Sequence, residues 1–122
     1  MHDMLTRPVP APAVRTVAGT TVVTPCGEMD LVTAIPLTIL LDSLTYGPHP
    51  DLVVDLTAVS FIDCGGLAAL CRVRNRVLAR RGRLRLVNGD GRFPRLVRAA
   101  GLAGVFEIHR ELSEVLPGPV VI

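Results

Sequence analysis

The chain of 122 residues reads as an α/β domain with a mixed β-sheet. Three observations predict this class. Strand-like and helix-like runs alternate in the order β-β-α-β-α-β-α-β-α, which favours a sheet layered with helices. The first two strand-like runs are separated only by Ala18-Gly19, so they read as a hairpin that supplies an antiparallel edge. Finally, Val53 to Leu67 runs V-V-D-L-T-A-V-S-F-I-D-C-G-G-L, after which apolar residues recur at helical spacing. That pattern predicts a buried strand turning tightly, through two glycines, into a helix.

The elements follow in order. Residues 1–13 contain Pro8, Pro10 and Pro12 and are expected to form a tail. Val14–Val17 and Thr20–Pro25 are the β-branched arms of the hairpin. Cys26-Gly27-Glu28-Met29-Asp30 reads as a loop carrying two acids. Leu37, Leu40, Leu41 and Leu44 mark a helix over 31–44, with Pro36 in its first turn. Tyr46-Gly47-Pro48-His49-Pro50 stops it. Leu52–Leu56 is a buried strand. The second helix spans 64–81, with Leu67, Leu70, Val73, Val77 and Leu78 inward, Arg72, Arg76 and Arg80 outward, and Arg74 close to the inner row. Gly82 is expected to end it as the left-handed cap residue. Arg83–Val87 alternates as a strand with Leu84 and Leu86 on one face. Arg92–Ala100 is a third helix with Pro94 tolerated in its first turn. Val105–Ile108 is a last strand, 111–116 adds a helical turn or two, and 117–122 forms a second tail.

Composition narrows the function classes. The chain is long enough for one domain with its own core. No apolar run approaches the roughly 18 residues of a membrane span, and residues 1–13 hold no secretion-signal core. A cytoplasmic protein without a membrane role is expected. Every basic residue is Arg, and between Arg72 and Arg98 there are ten Arg against one acid, Asp90. That cluster is either a solvated helix face or a docking surface for an acidic partner or nucleic acid. Nucleic acid is disfavoured by a net charge of only +2 and by an aromatic content of 3%, too low for a base-stacking surface.

The chemistry-bearing residues gather at one turn. Asp63 and Cys64 precede Gly65-Gly66 at the start of the second helix, where free backbone N–H groups collect partial positive charge. A cysteine nucleophile needs a base, and His2, His49 and His109 are not placed near Cys64 by the sequence. No enzyme, cofactor or metal site is expected. Gly65-Gly66 lacks the rest of a phosphate-loop motif. Cys26, Cys64 and Cys71 are not at zinc-ligand spacing, and Cys64 and Cys71 lie about 10 Å apart along one helix, too far to pair. Glu28 and Asp30 follow one strand and Asp63 another. Strand ends in such sheets tend to share an edge, so the three acids are candidates for an acidic rim facing a basic partner or a metal. Asp30 is equally a candidate N-cap of the first helix.

With these residues in view, the chain resembles the STAS domain family of bacterial anti-sigma factor antagonists. Gly27-Glu28-Met29-Asp30 resembles its G-E-[LIM]-D. Asp55 to Leu67, D-L-T-A-V-S-F-I-D-C-G-G-L, resembles its D-L-[ST]-x-[VL]-x-[FY]-[IM]-D-S-[ST]-G-L. The span from Gly82 to Phe106 resembles its G-x-x-L-x-[LV] strand and the later small-G-L-x-x-[VLI]-F segment. The likeness covers 14–116. It implies a mixed sheet of four to five strands with about four helices packed mainly on one face. It implies as partner an anti-sigma factor with a histidine-kinase-like ATP fold. Separately from the resemblance, an exposed apolar patch would permit a homodimer. In the family that partner phosphorylates the first serine of D-S-[ST]-G, and the added charge breaks the complex. Here Cys64 stands at the phosphoacceptor position and Gly65 at the next, so the docking surface carries over and the serine switch does not. The contact residues carried over are Glu28, Asp30, Asp63, Cys64, Gly65, Gly66 and Leu67. Two further readings remain open: an accessory subunit that binds a transporter ATPase, and a thiol sensor acting through Cys64 with Cys26 nearby.

Overall fold

The computed structural model describes residues 11–116. The expected tails therefore lie outside the described residues except for Ala11, Pro12 and Ala13, the last of which already belongs to the first strand. Strands β1 (Ala13–Val17) and β2 (Thr20–Thr24) form the expected antiparallel hairpin. Ala18 and Gly19 turn it with φ of 49° and 84°, the doubly positive geometry whose twist matches a two-residue hairpin. Next come β3 (Gly27–Met29), α1 (Ala34–Leu44), β4 (Asp51–Asp55), β5 (Val59–Ile62), α2 (Cys64–Ala79), β6 (Arg83–Val87), α3 (Arg92–Ala99) and β7 (Ile108–His109). A 3-10 turn at Leu112–Glu114 follows, so the helices number three plus this turn instead of four.

The main sheet has five strands in the order β1-β2-β4-β6-β7, parallel except for the hairpin. Two expectations are corrected here. The loop at 26–30 contains a strand, and the apolar run at 52–62 is two strands broken at Leu56-Thr57-Ala58. After their breaks, β2 and β4 are followed by β3 and β5, which pair in parallel as a second, two-stranded sheet. Arg92 of α3 reaches this small sheet, its guanidinium donating to Ser60 O at 2.7 Å and to Val59 O at 3.1 Å. The last strand is also shorter than expected, with only Ile108 and His109 paired to Leu86 and Val87.

Alternation sorts the main sheet into two faces. Val23, Leu52, Val54, Leu84 and Leu86 face the helices and pack with Leu37, Leu41, Leu67, Leu70, Val73, Val77, Phe93 and Val97. Full burial of each such aliphatic side chain contributes about 1.5–3 kcal/mol of transfer free energy. The other face presents Val22, Val53 and Val87, covered by Val115 with Leu112 and Leu116. Arg85 lies on this face and is buried. Its guanidinium donates to Val115 O at 2.9 Å and to Asp51 Oδ1 at 2.7 Å, while the Thr20 hydroxyl donates to Asp51 Oδ2 at 2.9 Å.

Helix ends explain three more residues. Pro36 is the third residue of α1, where no intrahelical donor is needed. At the end of α2, Arg81 rather than Gly82 takes the left-handed conformation, with φ of 57°. Its N–H donates to Leu78 O at 3.1 Å and that of Gly82 to Val77 O at 2.8 Å, the paired bonds of a Schellman motif. Gly82 is required for another reason: a Cβ there would lie 2.2 Å from Pro50 O. Leu78, expected in the inner row, is 51% exposed. Arg74 sits near that row because its Nε donates to Val105 O at 2.8 Å.

The arginine face of α2 is partly neutralised within the chain. Arg72 grips Asp42 of α1 with two bonds of 3.2 and 2.8 Å, and Arg76 Nε lies 3.2 Å from the same carboxylate. Arg76 also donates to the buried Thr45 hydroxyl at 3.2 Å. These contacts fix α1 against α2.

Candidate functional site

The small sheet builds the site. Met29 pairs with Ile62 at the ends of β3 and β5, so Asp30 and Asp63 leave the sheet side by side. The Asp63 N–H donates to Met29 O at 3.1 Å and ties the two exits together.

Asp63 then starts α2. It is extended, and its Oδ1 accepts from Gly65 N at 2.8 Å and Gly66 N at 3.2 Å. The Asp63 carbonyl accepts the first helical bond, from Leu67 N at 2.9 Å. This carboxylate is thus an N-cap that satisfies orphan donors of the helix and complements its dipole.

Asp30 does similar work one loop away. Its Oδ1 accepts from Val32 N at 3.0 Å and Thr33 N at 2.9 Å. The Thr33 hydroxyl accepts from Asp30 N at 2.8 Å and donates to Glu28 O at 2.7 Å. The Thr33 N–H, foremost among these bonds, holds the Asp30 carboxyl below the usual carboxylate range. Asp30 is therefore not the helix cap itself. Thr33 occupies that position without a side-chain bond, and Asp30 organises the turn before it.

The two glycines join these halves. A Cβ on Gly65 would lie 2.6 Å from Leu31 Cα, and one on Gly66 would lie 2.4 Å from Met29 O. Both are closer than any side chain tolerates, so the acid-bearing loop rests directly on the start of α2. Close approach, more than conformational freedom, requires both glycines.

Cys64 is exposed and so is Glu28, while Asp30, Asp63 and Gly65 are half-buried. Gly66 and Leu67 are buried and shape the turn from beneath. Glu28, Asp30 and Asp63 do not gather into a metal site, and among the described residues no group of three or more His, Cys, Asp and Glu could hold a metal ion. His49 lies by Arg81 O and His109 pairs with Glu107, so neither serves Cys64 as a base. Cys26, Cys64 and Cys71 are free thiols.

One part of the neighbourhood went unnoticed in the sequence. Leu31, Val32, Ile35 and Ile39 are exposed along the loop and α1, next to the turn. Their signal was present, since 31, 35 and 39 are spaced by four, but apolar residues on every side of α1 conceal it.

The profile of the STAS domain matches residues 11–115, and the chain belongs to the STAS domain family. Solved structures share its architecture. An anti-sigma factor antagonist from Mycobacterium paratuberculosis superposes with a TM-score of 0.76 at 28% identity, covering 85% of this chain and 88% of that one. The Bacillus cell fate determinant SpoIIAA in its phosphorylated form gives 0.66 at 18% identity, over 86% and 95% of the two chains. A sulfate transporter family protein from Wolinella succinogenes gives 0.66 at 16% identity, over 84% and 86%. The last two likenesses show the fold alone. No curated protein matches the chain. No helix among the described residues is long and apolar enough to cross a membrane.

Proposed function

We propose that this chain is a protein-docking module of the anti-sigma factor antagonist type. Its partner is an anti-sigma factor with a kinase-like ATP fold, gripped at the amino end of α2 and the adjoining Glu28–Leu31 loop, and docking relieves inhibition of a sigma factor. The observation that carries this reading is the exposure of Cys64 on a turn packed directly against the Asp30 loop. Likeness to the mycobacterial antagonist supports the partner class.

Docking here runs without a serine switch. A phosphate would add nearly two negative charges beside the Asp63 carboxylate. Cys64 offers sulfur in place of the hydroxyl, and Gly65 offers no side chain. The module stays competent to bind and answers to its own concentration.

Calorimetric titration with the kinase-fold anti-sigma factor of the same genome tests this. A complex should form equally with and without prior incubation with ATP, and the wild-type chain should take up no phosphate. Cys64→Ser should become a phosphoacceptor and lose binding once modified. Binding to a transporter ATPase in place of the anti-sigma factor, or ATP-dependent loss of binding by the wild type, would overturn the reading.

A further inference from the structure

A cavity opens between β5 and α3, just before the turn that carries Cys64. Buried Val59 and Phe93 form its floor, and half-buried Leu96 forms one wall. Ser60, Phe61 and Arg92 stand exposed around its mouth. Its volume is about 200 Å³. An apolar cavity of about 150 Å³ already admits a benzene ring, so this one has room for a single leucine- or phenylalanine-sized side chain.

The strand pairing places the mouth within reach of a molecule on the turn. The Asp63 N–H goes to Met29 O, and backbone groups alternate sides along a strand. Ser60 and Ile62 therefore turn theirs away from β3, toward α3, where Arg92 donates to Ser60 O. Ser60 to Ile62 then run directly into Asp63 and Cys64. A protein seated on Cys64 lies over the mouth. Phe61 is 54% exposed at its rim, whereas Phe93 and Phe106 are buried against each other with centroids 5.6 Å apart.

Charge gives the direction. Glu28, exposed, is the strand partner of Phe61 on the β3 side. On the α3 side Arg92, Arg95 and Arg98 are exposed at a spacing of three. Asp90 matches Arg92 at 2.6 Å. Among the described residues Arg95 and Arg98 have no ion pair.

We propose that the cavity anchors one apolar side chain of the docked protein partner, and that an acidic residue of the partner beside this anchor faces Arg95 and Arg98. The proposal rests on the docking reading and adds the partner's chemistry: an apolar knob with an acid toward α3, and a base toward Glu28. Side chains seated in fitted pockets carry most of the energy of an interface. Opposite charges at its two ends fix the register in which the partner lies.

Two titrations of the full chain test this. Indole, followed by amide chemical shifts, probes the cavity without a partner. Ser60, Phe61, Ile62 and Leu96 should respond together at millimolar indole, and Leu96→Trp, which fills the space, should abolish the response. Calorimetry with the kinase-fold anti-sigma factor of the same genome reads the anchor. Leu96→Trp should weaken the complex at least tenfold, and so should Phe61→Ala, a change at an exposed position. Arg95→Glu with Arg98→Glu should weaken it as much, while Arg15→Glu on β1 should stay within about twofold of the parent. Circular dichroism verifies that each variant folds. Absence of a complex with the wild-type chain would overturn the docking reading itself. A wild-type complex indifferent to Leu96→Trp and Phe61→Ala, one indifferent to the arginine pair, or an indole titration that leaves the cavity residues unmoved would overturn the anchor alone.

Discussion

Gly65 lies so close to Leu31 that a methyl group on it would come within 2.6 Å of the Leu31 Cα. The start of α2 and the loop after β3 are therefore one packed unit, and changes on either side should be felt on the other.

Gly66→Ala should be the most sensitive probe of that unit. Its Cβ would meet Met29 O at 2.4 Å, and a backbone carbonyl in a paired strand has little room to retreat. A loss of about 1–3 kcal/mol is expected from urea denaturation, as for other overpacked sites. Gly47→Ala, with open space around it, should stay within about 0.5 kcal/mol of the parent.

Asp63 should matter through its cap. Asp63→Ala removes the acceptor for Gly65 N and Gly66 N. A loss of about 0.5–2 kcal/mol is expected. Asp63→Asn keeps an acceptor oxygen and should recover most of the midpoint in the same denaturation experiment.

Acid should loosen the contact between α1 and α2. The hydrogen bond from Arg72 lowers the pKa of Asp42, with the charges of Arg76 and Arg72 acting in the same direction. Because the folded pKa lies below the unfolded value of about 3.9, the contribution is complete above that value. It is lost as pH falls through the folded pKa. Urea midpoints measured from pH 7 down to pH 3 should decline less steeply below pH 4 in Asp42→Asn than in the parent, with the variant already weaker at pH 7.

Charge at residue 64 should control docking without disturbing the fold. Cys64 is exposed at the positive end of α2, so Cys64→Glu is tolerated there. It nevertheless mimics part of the charge that a phosphate would bring. Affinity for the anti-sigma factor should drop at least tenfold while the thermal midpoint moves by less than about 2 °C.

Much of this fold is readable along the chain because its signals are local. Ala18-Gly19 announces the hairpin, and the step from an apolar run through Gly65-Gly66 to helical spacing announces α2. What escaped depends on distant partners. Strand β3 has three residues, and its pairing to β5 is fixed by folding, with no periodicity of its own. Leu78 follows the spacing of the inner row, yet the helix turns it outward near its end. Arg85 looks like a solvent residue in an alternating strand, and it is buried because the segment around Val115 returns across it. The places of Asp30 and Asp63 after two strands predict them as neighbours, and the pairing of Met29 with Ile62 sets them side by side. Their carboxylates proved to be occupied by local backbone N–H groups, a detail that spacing alone does not reveal.

The Arg85 clasp has a practical consequence for where the domain can be cut. Shortening the chain at Arg110 would strip Leu112, Val115 and Leu116 from the back of the sheet, baring Val22, Val53 and Val87 and stranding a guanidinium among them. Such a fragment would keep α1, α2, α3 and the whole Asp63–Gly66 turn, yet it should clump on expression. A unit that keeps the back of the sheet covered has to include Leu116.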